Sequence, residues 1–277
     1  MRRLLSANFT RLWKNRVFWF SLLAILVISV INMANGCRQD LEMLAEGYSK
    51  GLDDYYFELA PFLGLFFAVF ISLFLGTEYS DGTVRNKVVI GHSRGSIYLA
   101  NVLTCTAASF LFAAAWMLGG LVGIPVLGVW RMGLSGAMQY LCLSLLFFAA
   151  LSAIFTLVGS ISSNKAASAV ISMLLFLGLL VVASMIYNRL CEPEMISSVE
   201  ITAEGMQMTE PSRNPDYVGG TLRTVYELIL NILPTGQAIL MANLEITRPV
   251  LQMASSALIT AVVTAVGIAL FRKKDLK

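Results

Sequence analysis

The stretch MQYLCLSLLFFAALSAIFTLVGSI, from Met138 to Ile161, holds no charged side chain. As a helix it rises about 36 Å, enough to cross a hydrocarbon layer of about 30 Å. Five other runs share the property: Val17–Met33, Leu59–Gly76, Ile97–Leu127, Ala166–Tyr187 and Val250–Phe271. None shows the strict alternation of a barrel strand, and each is about twice a strand's length, so the expected spans are helices. Over the 277 residues 57% are hydrophobic and 13% charged, against about 25% charged in a soluble domain. The reading is therefore an all-α integral membrane protein with six transmembrane helices.

Charge sorts the two sides of that layout. Thirteen of the 20 basic residues fall on one side: Arg2, Arg3, Arg11, Lys14, Arg16, Arg85, Lys87, Arg94, Lys165, Arg272, Lys273, Lys274 and Lys277. The other side takes 14 of the 17 acidic residues, among them Asp40, Glu42, Glu46, Asp53, Asp54 and Glu58. Under the positive-inside rule both termini are expected in the cytoplasm of a multi-pass cell-membrane protein. Tyr55, Tyr56, Phe57, Trp130 and Tyr140 stand at span ends, where an aromatic belt is expected.

Residues 4–15 are too short and polar to span. Leu5, Phe9, Leu12 and Trp13 against Arg11 and Lys14 suggest an N-terminal interfacial helix on the inner leaflet; a plain basic leader is the alternative. Ala34-Asn35-Gly36 before Cys37 looks like a degraded lipoprotein cleavage box, but Asn35 fits it poorly and the run is already of span length. An uncleaved anchor is expected. Cys105 and Cys142 fall within spans and read as small packing residues. Cys37 and Cys191 each follow the outer end of a span, so a disulfide between them is permitted.

Catalytic machinery is not visible. There is no GxxxxGK[ST] loop, a single histidine, His92, and no pair of ligands at metal-site spacing. Ser109 and Ser172 read as helix-packing residues rather than nucleophiles. No span carries Asp, Glu, Lys or Arg, which weighs against a carrier coupled to a proton or sodium gradient, since such groups hold the coupling ion. Asn32 and Asn101, near span ends, read as capping or hydrated positions. Gly119 and Gly123 form a GxxxG step, with Gly120 beside it and Pro125 beyond, and predict close helix contact.

The loop after the second run reads EYSDGTVRNKVVIGHSRGS, Glu78 to Ser96. Asp81-Gly82 signals a turn, Thr83 is placed to cap a helix, and Gly91 to end it in the left-handed conformation. Ser93 or Ser96 would cap the third span. Val84 and Val88, one turn apart and flanked by Arg85 and Lys87, form an apolar knob suited to another protein's groove. A short solvated loop with incidental helicity is the alternative.

At these residues the chain resembles the type 2 ABC exporter permeases, in which E-Y/F-x-x-G-T, a basic residue and then S-R follow the second of six spans. Glu78, Tyr79, Gly82, Thr83, Arg85, Ser93 and Arg94 match in order. The basic leading helix and the Pro234-Thr235-Gly236-Gln237 break before the last span extend the likeness. Gly91, where many relatives carry Pro, and Asn101, where Lys is frequent, depart from it. The resemblance implies a single transmembrane permease domain over residues 1–277 that lacks its own nucleotide site. Its expected partners are the lipid bilayer, a second permease copy or a related permease, and two cytoplasmic ABC ATPase subunits that hold ATP and Mg2+; no nucleic acid is involved. It also makes residues 83–91 a cytoplasmic coupling helix seated on the ATPase, with Glu78, Gly82, Thr83, Val84, Arg85, Val88 and Arg94 as the coupling residues. A membrane scaffold or sensor subunit, and a carrier working alone, are the rival readings.

The segment 188–249 carries eight acids and four bases, with Pro193, Pro211 and Pro215 in a first half expected to be irregular. Val225–Leu233 and Ala238–Leu244 are apolar but each too short to cross. They are expected to be re-entrant or interfacial outer helices before the last span, the alternative being two halves of an extra span that would move the C-terminus outside. The substrate is not written in the sequence; the uncharged spans favour an amphipathic or apolar one.

Overall fold

The computed structural model of the chain describes all residues except 46, 48, 49, 163, 198, 203, 204, 209 and 275–277, with side chains also left aside at 45, 199–202 and 205–208. Glu46 and Lys277, counted above for topology, lie outside the described residues. Twelve α-helices are described: α1 (Arg2–Lys14), α2 (Arg16–Ala45), α3 (Leu52–Tyr56), α4 (Ala60–Ser80), α5 (Thr83–Val89), α6 (Arg94–Gly120), α7 (Ile124–Leu127), α8 (Gly133–Ile161), α9 (Lys165–Cys191), α10 (Gly220–Ile232), α11 (Pro234–Ala242) and α12 (Pro249–Lys273). Six segments among the described residues are long and apolar enough to cross a membrane: Arg16–Leu44, Leu52–Ser80, Arg94–Leu127, Gly133–Ile161, Lys165–Cys191 and Pro249–Lys273. Helix starts follow local chemistry. Pro lies in the first turn of α4, α7, α11 and α12, where no intrahelical N–H partner is lost, and the Asn164 side chain accepts from the Ala166 and Ala167 amides at the start of α9.

Helix α4 is the hub, packed on α9, α8 and α11, while α2 lies against α6 and α12 against α8 and α6. Its apolar core includes Phe67, Phe70, Phe74, Phe112, Trp116 and Phe148, all buried. The GxxxG step works as close contact. An added Cβ at Gly119 would sit 2.7 Å from Ser29 Cβ, and one at Gly123 2.4 Å from Met33 Sδ, so α2 and α6 approach through missing side chains. Ser72 Oγ donates to Ser172 Oγ at 2.8 Å across α4 and α9, a packing role for that serine.

Both termini lie at one end of the bundle. Arg94 at the start of α6 donates to the carbonyls of Arg272 and Lys274 at 2.9 and 2.5 Å, and Lys274 Nζ donates to the Ser160 carbonyl at the end of α8 at 2.9 Å. Since α12 finishes beside the start of α6, the pair α10–α11 begins and ends at the far end. These two helices meet at a 97° bend at Leu233, and because the pair begins and ends at the same end of the bundle it reads as re-entrant.

Several expectations change. Helix α2 continues past Met33 to Ala45, because Ala34 to Leu44 contains no helix breaker except Gly36, whose missing side chain admits the Tyr55 ring. Tyr55, Tyr56 and Phe57 are buried, not a lipid-facing belt: Tyr56 meets Trp130 at 4.6 Å and Phe57 meets Tyr140 at 5.0 Å, closing the far end of the core. Residues expected to be irregular form antiparallel ladders, β1 (Met195–Ile196) with β4 (Ser212–Arg213) and β2 (Val199–Thr202) with β3 (Gly205–Met208), where β-branched Val199, Ile201 and Thr202 favour extended backbone. Cys142 is exposed on α8 rather than packed, and Cys37 and Cys191 are both free thiols.

Candidate functional site

The loop that joins α4 to α6 is built as expected at its exit and differently at its entry. Gly82, at φ 65°, is the residue before α5, so it and not Thr83 occupies the capping position, and Thr83 is the first helical residue. At the exit the Gly91 N–H donates to the Val88 carbonyl at 2.9 Å and the His92 N–H to the Lys87 carbonyl at 3.1 Å, with Gly91 at φ 96°. That pair of bonds is a Schellman closure, which needs the left-handed residue glycine supplies. Ser93 then caps α6, accepting from the Ser96 amide at 3.3 Å.

Which face of α5 points outward corrects the reading of the knob. Val84 is 2% exposed and packs with Leu4, Ile97, Tyr98 and Phe271, and Val88 leans on the same cluster. An apolar pair seated in its own protein cannot fill another's groove. The outward face consists of Arg85, Asn86, Val89 and Ile90, the last two each 78% exposed.

Beneath α5 lies a buried charged node. Glu78, 1% exposed at the last turn of α4, takes Arg11 Nη1 on Oε1 at 2.6 Å, Lys87 Nζ on the same oxygen, and Asn101 Nδ2 on Oε2 at 3.1 Å. Asn8 completes it, donating to Asn101 Oδ1 at 2.8 Å and accepting from Lys87 Nζ at 2.9 Å. Asn101 is thus neither a cap nor a hydrated end. Four elements, α1, α4, α5 and α6, are tied to one carboxylate.

The node is rich in positive charge. Burial lowers the Arg11 guanidinium to about 10, and burial together with the Arg11 charge lowers the Lys87 ammonium to about 8. Both stay protonated at neutral pH, so two cations share one anion. Arg11 stacks over the Phe74 ring at 3.8 Å, while its Nε and Nη2 are buried without a hydrogen-bond partner. The same contact explains α1. Leu4, Asn8 and Leu12, spaced i, i+4, i+8, face the protein, whereas Trp13 of the expected apolar face is exposed. Helix α1 therefore docks on α6 as well as presenting Trp13 and Lys14 outward.

A second buried node sits at the far end and carries no charge. Gln237 Nε2 donates to the Asn231 carbonyl, the Gln252 carbonyl and Ser255 Oγ at 2.9, 3.2 and 3.0 Å, and Ser256 Oγ donates to Gln237 Oε1 at 2.7 Å. Gln252 Nε2 adds a bond to Asn231 Oδ1 at 2.9 Å, knitting α10, α11 and α12.

The family model described as ABC-2 family transporter protein matches residues 4–187, two thirds of the chain. The chain belongs to the ABC-2 family. It is a membrane permease of ABC-2 type, and the matched domain is a permease component without a nucleotide-binding domain. The match contains α1, α5 and the whole charged node, and ends before the Pro234–Gln237 break, which had extended the resemblance. No individual curated protein matches the chain significantly.

Of the seven residues read as coupling residues in this ABC-2 chain, only Arg85 is exposed. Glu78 and Val84 are buried, Val88 is half-buried, Gly82 and Thr83 shape the turn, and Arg94 caps the end of α12. The sequence alone did not reveal Arg11 and Asn101 as partners of Glu78, Asn8 as the link between Asn101 and Lys87, or Val89 and Ile90 as the outward face. Two signals pointed there: a lone Asn inside an apolar run, and Asn8 midway between Leu4 and Leu12 on one helical stripe.

Proposed function

We propose that this ABC-2 permease is the membrane half of an ATP-driven exporter in the cell membrane, with α5 as its coupling helix. It works beside a second permease subunit and with separate cytoplasmic ATPases that hold the ATP and Mg2+. The carrying observation is the division of α5 into two faces. Val84, Lys87 and Val88 are seated on α1, α4 and α6, while Val89 and Ile90 stand free of the rest of the chain. A short helix held on one side, with Arg85, Asn86, Val89 and, just past its end, Ile90 on the other, suits a groove in another protein. Motion imposed on α5 there would pass through Lys87 to Glu78, and so to the ends of α4 and α6 and to α1. Both termini and α5 then lie in the cytoplasm, in agreement with the 13 basic residues gathered on that side.

Purification in gentle detergent followed by mass spectrometry tests the assignment. A P-loop ATPase at one copy per permease is the expected companion. A permease that purifies alone, or only with a sensor kinase, contradicts it. In a Cys-less background, Ile90→Cys and Thr247→Cys should react with an impermeant reagent from opposite sides of the membrane; labelling of both in intact cells would overturn the orientation.

A further inference from the structure

We propose that the cleft between the end of α9 and the re-entrant pair α10–α11 is a headgroup site for a zwitterionic phospholipid, with phosphate and ammonium bound at separate points. The cleft holds about 510 Å³, within the range of small-ligand sites. Its floor is apolar, formed by Leu190 with the buried Leu230 and Leu240. Its rim carries Arg248 and Glu245 beside the Arg223–Glu227 pair. Arg248 touches Glu227 at 3.7 Å, beyond hydrogen-bond distance, and Glu227 is already engaged by Arg223 at 3.3 Å. Glu245 is exposed and its carboxylate meets the Tyr187 hydroxyl, which leaves acceptor capacity on the carboxylate for an ammonium group.

The backbone is strained to put Glu245 there. Leu244 is the one non-glycine described residue with positive φ, at 57°, and closes α11 with bonds from its own amide to the Met241 carbonyl and from the Glu245 amide to the Leu240 carbonyl. Glycine is the ordinary residue at such a closure, and a leucine held there is strain of the kind kept at binding sites. The occupant is an amphiphile because the cleft borders the bilayer-facing surface of the spans. Val250, just past Arg248 at the start of α12, is 78% exposed, so an acyl chain has apolar surface to follow away from the headgroup.

The inference stands apart from the coupling reading and is tested without any ATPase. Three probes share one fluorescent acyl chain and carry a phosphoethanolamine, a phosphate or a trimethylammonium group; their binding to the purified permease in nonionic detergent is compared. The phosphoethanolamine probe should bind at least about tenfold more tightly than either of the others, the scale of one lost charge-assisted contact. Glu245→Gln should reduce it to the level of the phosphate probe, and Arg248→Gln to the level of the ammonium probe, both at unchanged melting temperature. Leu244→Gly, which takes the same left-handed backbone without strain, should keep the selectivity. Equal binding of the three probes, selectivity unmoved in both charge variants, or full competition by tail-free phosphoethanolamine at equal concentration would overturn the proposal.

Discussion

The two buried polar nodes occupy opposite ends of the bundle and solve the same problem differently. At the far end, Asn231, Gln237, Gln252, Ser255 and Ser256 match neutral donors to neutral acceptors across α10, α11 and α12. At the terminus end, Glu78 is the carboxylate in contact with both Arg11 and Lys87, and Arg11 keeps two buried donors unpaired. This neutral network leaves one buried acceptor, Gln252 Oε1, without a partner but buries no charge, and its short-range bonds hold one arrangement of helices. A carboxylate shared between two cations is held together by long-range attraction but not by saturated geometry, which suits elements that shift together. The difference assigns the far node to holding the re-entrant pair and the charged node to linking α5 with the bundle.

The largest break is predicted at Glu78. Glu78→Ala strips the anion from two buried cations. It should destabilise the permease by about 3–5 kcal/mol, seen as a lower melting temperature and lower abundance. A variant that melts as wild type would show that the node is not structural. Adding Lys87→Met to Glu78→Ala should recover part of the loss, since one stranded charge is removed, and non-additivity in this double-mutant cycle measures their coupling. The neutral node gives a smaller effect. Gln237→Leu should cost about 1–3 kcal/mol through partners left unpaired, while ATPase retention stays at the wild-type level.

The smallest effect separates the nodes by pH. Lys87 in the folded protein titrates near 8 against an ordinary 10.5. Between those values the unfolded chain binds more protons, so the contribution of this group to stability rises with pH across the window. The melting temperature should climb slightly from pH 7.5 to 10, relative to Lys87→Met, in which that increment disappears. An identical pH profile in the two proteins would remove Lys87 from the account.

The fold was legible because six charge-free runs leave few arrangements for a chain in lipid. The loop motif located α5, and Gly91 marked its end. What the residues could not reveal was facing. Val84, Val88, Val89 and Ile90 are chemically alike, and in a seven-residue helix no periodic pattern chooses between them. The choice is made by Glu78, which draws Lys87 inward and turns Val84 and Val88 with it, and by Leu4 of α1, far away in sequence. The far node was illegible for a related reason: Gln237 was visible only as part of a helix break, and its partners Asn231 and Gln252 come from two other helices.

The central claim is that α5 has a partner face and a transmission face, and it is tested by the amount of ATPase that copurifies with wild type, Ile90→Asp and Lys87→Met at matched permease expression. Ile90 is 78% exposed, so its aspartate should leave folding intact yet bury an unpaired carboxylate on docking, reducing retained ATPase by tenfold or more, on the order of a few kcal/mol of lost binding. Lys87→Met should keep the ATPase, because Lys87 faces the node. Full ATPase retention by Ile90→Asp, or its loss from Lys87→Met with Ile90→Asp unaffected, would contradict the account.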